Sequence, residues 1–242
     1  MSVAFCAYVM TASPTAPTLA ELFEDAEPAH ALSRPQWLNA LRACGPIPPD
    51  TIPALKAALA GRLRVLEGRD LAPRERGYEL ERLLMHLQAL EGLDPWPSFY
   101  ATPPEALDTR ESVAPKKRGR RSGGEQVDGY FDLDGRHFLF EAKWERQPLA
   151  VSTLYEFRGR VDGKLSGTLG LFVSASGFAE NSEYTLLSGK ELNVLLADLA
   201  DLDAALDTKN SFREMMQVKM REAARRGMAF WPYKAYLDTR DT

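Results

Sequence analysis

Residues 124–144, Gly-Glu-Gln-Val-Asp-Gly-Tyr-Phe-Asp-Leu-Asp-Gly-Arg-His-Phe-Leu-Phe-Glu-Ala-Lys-Trp, constrain the fold more than any other stretch of the chain. Asp134-Gly135 lies between two β-prone runs, and an Asp-Gly pair supplies the positive φ angles that a two-residue hairpin turn requires. With that pair at the turn centre, Leu133 pairs with Arg136. Carried outward, the register sets Asp128 opposite Glu141 and Gln126 opposite Lys143. Alternation then predicts one face made of Val127, Phe131, Phe138, Phe140 and Ala142, and another made of Asp128, Tyr130, Leu139, Glu141 and Lys143. The first face is apolar enough to demand a packed partner. The second brings two carboxylates face to face, which is destabilising without a cation, a shared proton or solvent. A divalent metal is the most economical compensation. Asp132 and His137 also oppose each other, but at the turn end, where an exposed pair is expected.

The flanking segments supply helices on either side of this hairpin. Helical patterns begin at Leu19–Phe23, Arg34–Arg42 and Thr51–Leu66, the last with Leu55, Leu59, Leu63 and Leu66 on one stripe. His30 stands alone in this region and carries no chemistry by itself. Arg74 to Gly92 is the strongest helix, with Leu80, Leu83, Leu84, Leu87 and Leu90 along one side and Gly92 as a stop. Prolines 95, 97, 103, 104 and 115 then predict a long irregular stretch, which ends in Lys116, Lys117, Arg118, Gly119, Arg120 and Arg121. Beyond the hairpin the pattern predicts a helix over 147–161 with a basic edge of Arg158, Arg160 and Lys164. Buried strands are expected at 167–176 and 192–196, the latter followed by the segment 198–206, and a final helix at 210–226. This order predicts an α/β fold, a mixed central β-sheet flanked by helices with an N-terminal helical appendage.

Charge and cysteine content narrow the functional classes. The net charge of −4 gives no global attraction to a polyanion, so any nucleic-acid binding must be local, and the basic run 116–121 is the local candidate. Cys6 and Cys44 are the only cysteines, and no Cys/His cluster points to zinc or a disulfide framework, so a reducing cytoplasm is the expected setting. The apolar opening, Met1 to Met10, lacks a positive leader and is too short to span a bilayer; no membrane association is expected.

Asp128, twelve residues, then Glu141-Ala142-Lys143 resembles the PD-(D/E)xK nucleases of the restriction-endonuclease-like superfamily. Gly77-Tyr78-Glu79-Leu80-Glu81-Arg82-Leu83-Leu84 resembles the opening helix of Mrr-like restriction endonucleases. Residues 124–129 resemble the first catalytic strand of that family and 170–178 its later core strand and turn. The similarity covers about residues 74–205. The leading proline of the motif is absent, and Val127 stands before the aspartate.

The resemblance implies that Asp128 and Glu141 hold Mg2+ or Mn2+, with the Ala142 carbonyl as a further oxygen donor. It implies that Lys143 orients the attacking water or stabilises phosphate charge, and that Glu81 joins from the first helix; Glu79 is turned to a different face. Gln126 is expected to fix Lys143 or contact phosphate. The implied activity is hydrolysis of DNA phosphodiester bonds, in double strands, in a restriction or anti-phage role. The implied division is an N-terminal helical region, 1–70, serving recognition, a partner protein or homodimerisation, and a nuclease domain, 71–242. Two alternatives stand beside it: a non-catalytic nucleic-acid-binding or assembly subunit on the same fold, and a nuclease acting on RNA or single-stranded DNA. For the latter, no aromatic stacking platform is obvious in the sequence.

Overall fold

Asp134 and Gly135 adopt positive φ angles of 50° and 74°, and the chain reverses on them as the sequence predicts. In this computed structural model, which describes residues 17–24, 32–68, 72–101, 125–180 and 191–240, β2 (Glu125–Leu133) turns back as β3 (Arg136–Lys143) with Leu133 facing Arg136. The Met1–Met10 segment, His30 and the basic run 116–121 lie outside the described residues. A strand that the proline pattern concealed, β1 (Trp96–Ala101), pairs antiparallel with the far side of β2. Pro97 is tolerated there because β1 is the sheet edge, where one side of the strand needs no donor. β3 continues through a helical crossover, α5 (Val151–Asp162), into β4 (Leu169–Ser174), and β5 (Val194–Asp198) follows; both join in parallel. The result is a five-stranded mixed sheet in the order β1-β2-β3-β4-β5.

Helices cover both faces. On one side pack α1 (Leu19–Phe23), α2 (Arg34–Cys44), α3 (Ile52–Gly68), α4 (Pro73–Leu90), α6 (Leu199–Leu206), α7 (Phe212–Arg226) and α8 (Tyr233–Arg240). Their buried side chains form one cluster with Phe131, Leu133, Phe138, Phe140 and Ala142 of the hairpin and with Leu171, Val173, Leu195 and Ala197 of the parallel strands. On the other side, Leu154, Phe157 and Val161 of α5 pack on Val127, Leu139, Phe172, Val194 and Leu196. β4 is therefore buried on both faces, as its continuous apolar run requires. The N-terminal helices are tied into the same core: the Trp37 indole stacks on the His86 ring of α4, centroids 3.9 Å apart, and donates to the Leu22 carbonyl. Among the described residues no helix is long and apolar enough to cross a membrane.

One buried ion pair fastens the C-terminal helices to one another. Lys219 of α7 is fully buried and donates to Asp201 of α6 at 2.6 Å and to the Trp231 carbonyl at 2.9 Å, while Asp201 also accepts from the Tyr233 amide at 2.6 Å. Removing one partner of such a pair strands the other charge in a medium that cannot solvate it. Lys219→Met is thus expected to lower stability by about 3–5 kcal/mol, read as a lower urea midpoint at unchanged slope; an unchanged midpoint would refute the assignment.

Candidate active site

The β2–β3 ladder runs from the turn to Gly129–Phe140 and stops there, one pair short of the predicted Asp128–Glu141 opposition. Beyond that point β2 follows β1 and β3 follows β4. Asp128 fills the fork by its side chain: Oδ2 accepts the Ala142 amide proton at 3.0 Å, in place of a backbone carbonyl of β2. Gly129 makes this possible. A Cβ at this residue would lie 2.1 Å from the Phe140 ring and 2.8 Å from the Trp96 carbonyl oxygen, so only glycine lets the ring cross the strand. The face assignment differs as well. Val127 packs on the α5 side with Leu139 and Tyr130, not with Phe131 as strict alternation predicts, although the register of β2 against β1 runs on unchanged from Tyr130 to Glu125.

Three carboxylates and three cations meet at the fork. Glu141, buried on β3, holds Lys143 Nζ at 2.8 Å through Oε1 and the Arg160 guanidinium of α5 at 2.6 Å through Oε2. Glu81 projects from α4, buried, and pairs with Arg34 at the start of α2. The same Arg34 nitrogen lies 3.4 Å from the Asp128 carbonyl oxygen and donates to it. Arg34 is placed by the α2 N-terminus, where the Gln36 side chain accepts the Ser33 amide proton at 2.9 Å and Pro35 fits the first turn. Glu79 faces elsewhere, toward Arg62 at 3.3 Å, as its position two residues from Glu81 on the helix requires.

Burial dominates the electrostatics. It raises the Asp128 carboxyl to about 7, with the Glu141 and Glu81 charges adding to the effect and the Ala142 amide opposing it. Burial likewise raises Glu81, against the pull of Arg34 and Lys143. Lys143 is depressed by burial but more strongly held in its charged form by Glu141, and ends above its ordinary value. Asp128 is thus the group whose charge the fold compensates least.

The structure brings together four of the residues singled out from sequence, Glu81, Asp128, Glu141 and Lys143, and adds two cations. Arg160 was visible only as part of a basic helix edge. Arg34 had no sequence signal, because nothing local distinguishes an arginine that reaches Glu81 across the fold from one that points into solvent. Gln126 pairs through its backbone with Tyr100 of β1, and its side chain is outside the described residues, as are Lys116, Lys117, Arg118, Arg120 and Arg121. Asp132 and His137 form the expected exposed pair at 2.6 Å, joined by the Tyr130 hydroxyl.

Among the described residues no group of three His, Cys, Asp or Glu side chains is arranged to hold a metal ion. The donor set at the fork nonetheless fits a hard divalent cation in kind: its acceptors are carboxylate oxygens, and a cation between them would offset both the burial that chiefly raises Asp128 and the smaller repulsion from Glu141 and Glu81. No family model matches the chain, and no curated protein matches it. A solved structure described as a protein of unknown function, AF1548, aligns at 14% identity over 59% of this chain and 66% of that chain, with a TM-score of 0.36. A likeness of that extent carries no argument about fold or activity.

Proposed function

We propose that this chain is a metal-dependent endonuclease of the PD-(D/E)xK type that hydrolyses DNA phosphodiester bonds, acting in the cytoplasm in restriction or anti-phage defence. One observation carries the reading: Asp128, Glu141, Glu81 and Lys143, drawn from α4, β2 and β3, converge at a fork where Asp128 keeps a raised pKa instead of a full set of partners. Asp128 and Glu141, with the Ala142 carbonyl, would hold Mg2+ or Mn2+, and Glu81 would support that shell. The ion when bound supplies an acidified water and a polarised phosphoryl oxygen. Lys143 then places its ammonium beside the developing phosphate charge, where a preorganised cation in a partly buried site acts more strongly than in water. Arg34 and Arg160 hold Glu81 and Glu141 in place. Cutting both strands with one site per chain is simplest in a symmetric dimer, and the N-terminal helices or a partner protein are the proposed means of association.

A second reading has its own support. Both oxygens of Glu141 are already engaged by Lys143 and Arg160, so the three carboxylates are matched by three cations without any metal. A non-catalytic nucleic-acid-binding or assembly subunit would need no more. Incubation of plasmid DNA with wild type, Asp128→Ala, Glu141→Ala and Lys143→Ala, with Mn2+ or EDTA, separates the two. Cleavage by wild type alone, and only with Mn2+, is the expected outcome. Undiminished cleavage by the first two variants would remove the proposed site. Absence of cleavage, together with no heat of Mn2+ binding, would favour the subunit.

A further inference from the structure

α2 contains no acidic residue, so its first residue, Arg34, has no carboxylate to pair with along its own helix. It pairs instead with Glu81 of α4, and the nitrogen that does so, Nη1, also donates to the Asp128 carbonyl oxygen at 3.4 Å. One cationic nitrogen is thus held by a carboxylate oxygen and a backbone carbonyl oxygen from two separate elements, which are the donor types that bind a hard divalent cation. The pair is nearly dry: the Arg34 and Glu81 side chains are only 17% and 10% exposed. Charges in such surroundings are little screened by salt and act on each other strongly. The backbone beneath Arg34 is fixed, because Ser33 and Gln36 close the α2 N-terminus and Trp37, Leu38 and Leu41 bury the helix. Any displacement of the guanidinium therefore falls to the side chain, which borders solvent.

We infer that Arg34 gates the metal site: its guanidinium engages the Glu81 oxygen that would serve a divalent cation held by Asp128 and Glu141, and must leave that oxygen for the cation to bind fully. The inference rests on the metal site of the nuclease reading and deepens it by naming what regulates loading. Two effects oppose loading while Arg34 is in place. The Glu81 oxygen is engaged, and a fixed positive charge at the fork repels a second one. Arg34 differs from Arg160 in joining the helix that carries Glu81 to the strand that carries Asp128 through one nitrogen, so its departure frees oxygens on both elements at once. The gate sets a threshold. Loading occurs only where the divalent cation is abundant enough to outcompete an internal cation that never dilutes.

The test is calorimetric titration of the full chain with Mn2+, without DNA and at mildly alkaline pH, where protons compete little for the carboxylates. Arg34→Met, which removes the charge and adds no oxygen donor, should bind Mn2+ about tenfold tighter than wild type. Arg34→Lys keeps the charge and should stay within about threefold of wild type. Arg34→Gln keeps a hydrogen-bond donor for Glu81 and is the second neutral variant; it should also bind tighter, so the result does not hang on the folding of Arg34→Met. In a Glu81→Gln background the gain from Arg34→Met should shrink to about threefold or less, because the competition runs through that carboxylate. Half-maximal plasmid cleavage should need correspondingly less Mn2+ in Arg34→Met. Unchanged or weaker Mn2+ binding by both neutral variants overturns the gate and leaves Arg34 a structural anchor, and so does an undiminished gain in the Glu81→Gln background. Mn2+-dependent cleavage by wild type alongside such a result would leave the nuclease reading intact; no heat of Mn2+ binding in wild type or any variant would remove both.

Discussion

Asp128→Asn is expected to abolish cleavage and to make the protein more stable at neutral and alkaline pH. The amide keeps the shape of the carboxyl and its oxygen still accepts the Ala142 amide proton, so the fork is preserved. The charge needed for a metal is gone, and a loss of about a thousandfold or more in rate, roughly 4 kcal/mol of barrier, is the expected scale. The stability gain follows from proton linkage. Burial raises Asp128 from the ordinary 3.8 to about 7, so between these values the folded chain holds a proton that the unfolded chain has released. Wild-type stability from this group therefore falls as pH rises from about 4 to about 7 and stays lower above it. Asparagine has no such penalty. The difference in unfolding free energy between variant and wild type should be near zero at pH 3.5, grow through pH 4–7 and level off, reaching on the order of 1–3 kcal/mol, with Tm following the same course. Added Mn2+ should raise the wild-type Tm by mass action and leave the variant unmoved. A variant less stable than wild type at pH 8 would contradict the strained carboxylate.

Gly129→Ala should destabilise the fold and silence the site together. The added methyl meets the Phe140 ring at 2.1 Å and the Trp96 carbonyl at 2.8 Å. A side chain can turn aside, but the carbonyl belongs to the β1 backbone and Phe140 is packed between Phe131 and the helices. Overpacking of this kind costs about 1–3 kcal/mol and sometimes more, and here relief requires moving the strand that carries Asp128. The expected result is a lower urea midpoint with cleavage reduced further than the unfolded fraction explains. Gly92→Ala, at a positive φ of 69° beside the end of α4 but far from the fork in sequence, is the control: strained, yet expected to keep its cleavage rate per folded molecule. Equal loss of activity in both would argue against a special role for the fork.

Much of the architecture was readable because its signals are local. The Asp134-Gly135 turn and its register, the α4 stripe and the apolar runs of β4 and β5 depend on residues within a few positions of each other, and each formed where the pattern placed it. β1 was missed because Pro97 reads as a breaker, and only its place at the sheet edge makes the proline harmless. α8 went unnoticed at the end of the chain, where its apolar side is defined by packing of Tyr233 and Tyr236 on the rest of the molecule. Val127 was assigned to the wrong face because alternation presumes that β2 stays paired with β3 along its whole length, whereas that pairing ends at Gly129–Phe140 and Val127 packs with the α5 side.

Local chemistry therefore determined the hairpin, its register near the turn, the α/β class and the identity of the two carboxylates with their lysine. These follow from backbone preferences and side-chain periodicity, which act over a few residues. The company those carboxylates keep was decided only by the tertiary structure. Arg34 reaches Glu81 and the Asp128 carbonyl from the second helix, and Arg160 reaches Glu141 from the crossover helix. A buried charge takes its partner from whatever the folded chain brings within about 4 Å, and no spacing along the sequence encodes that distance.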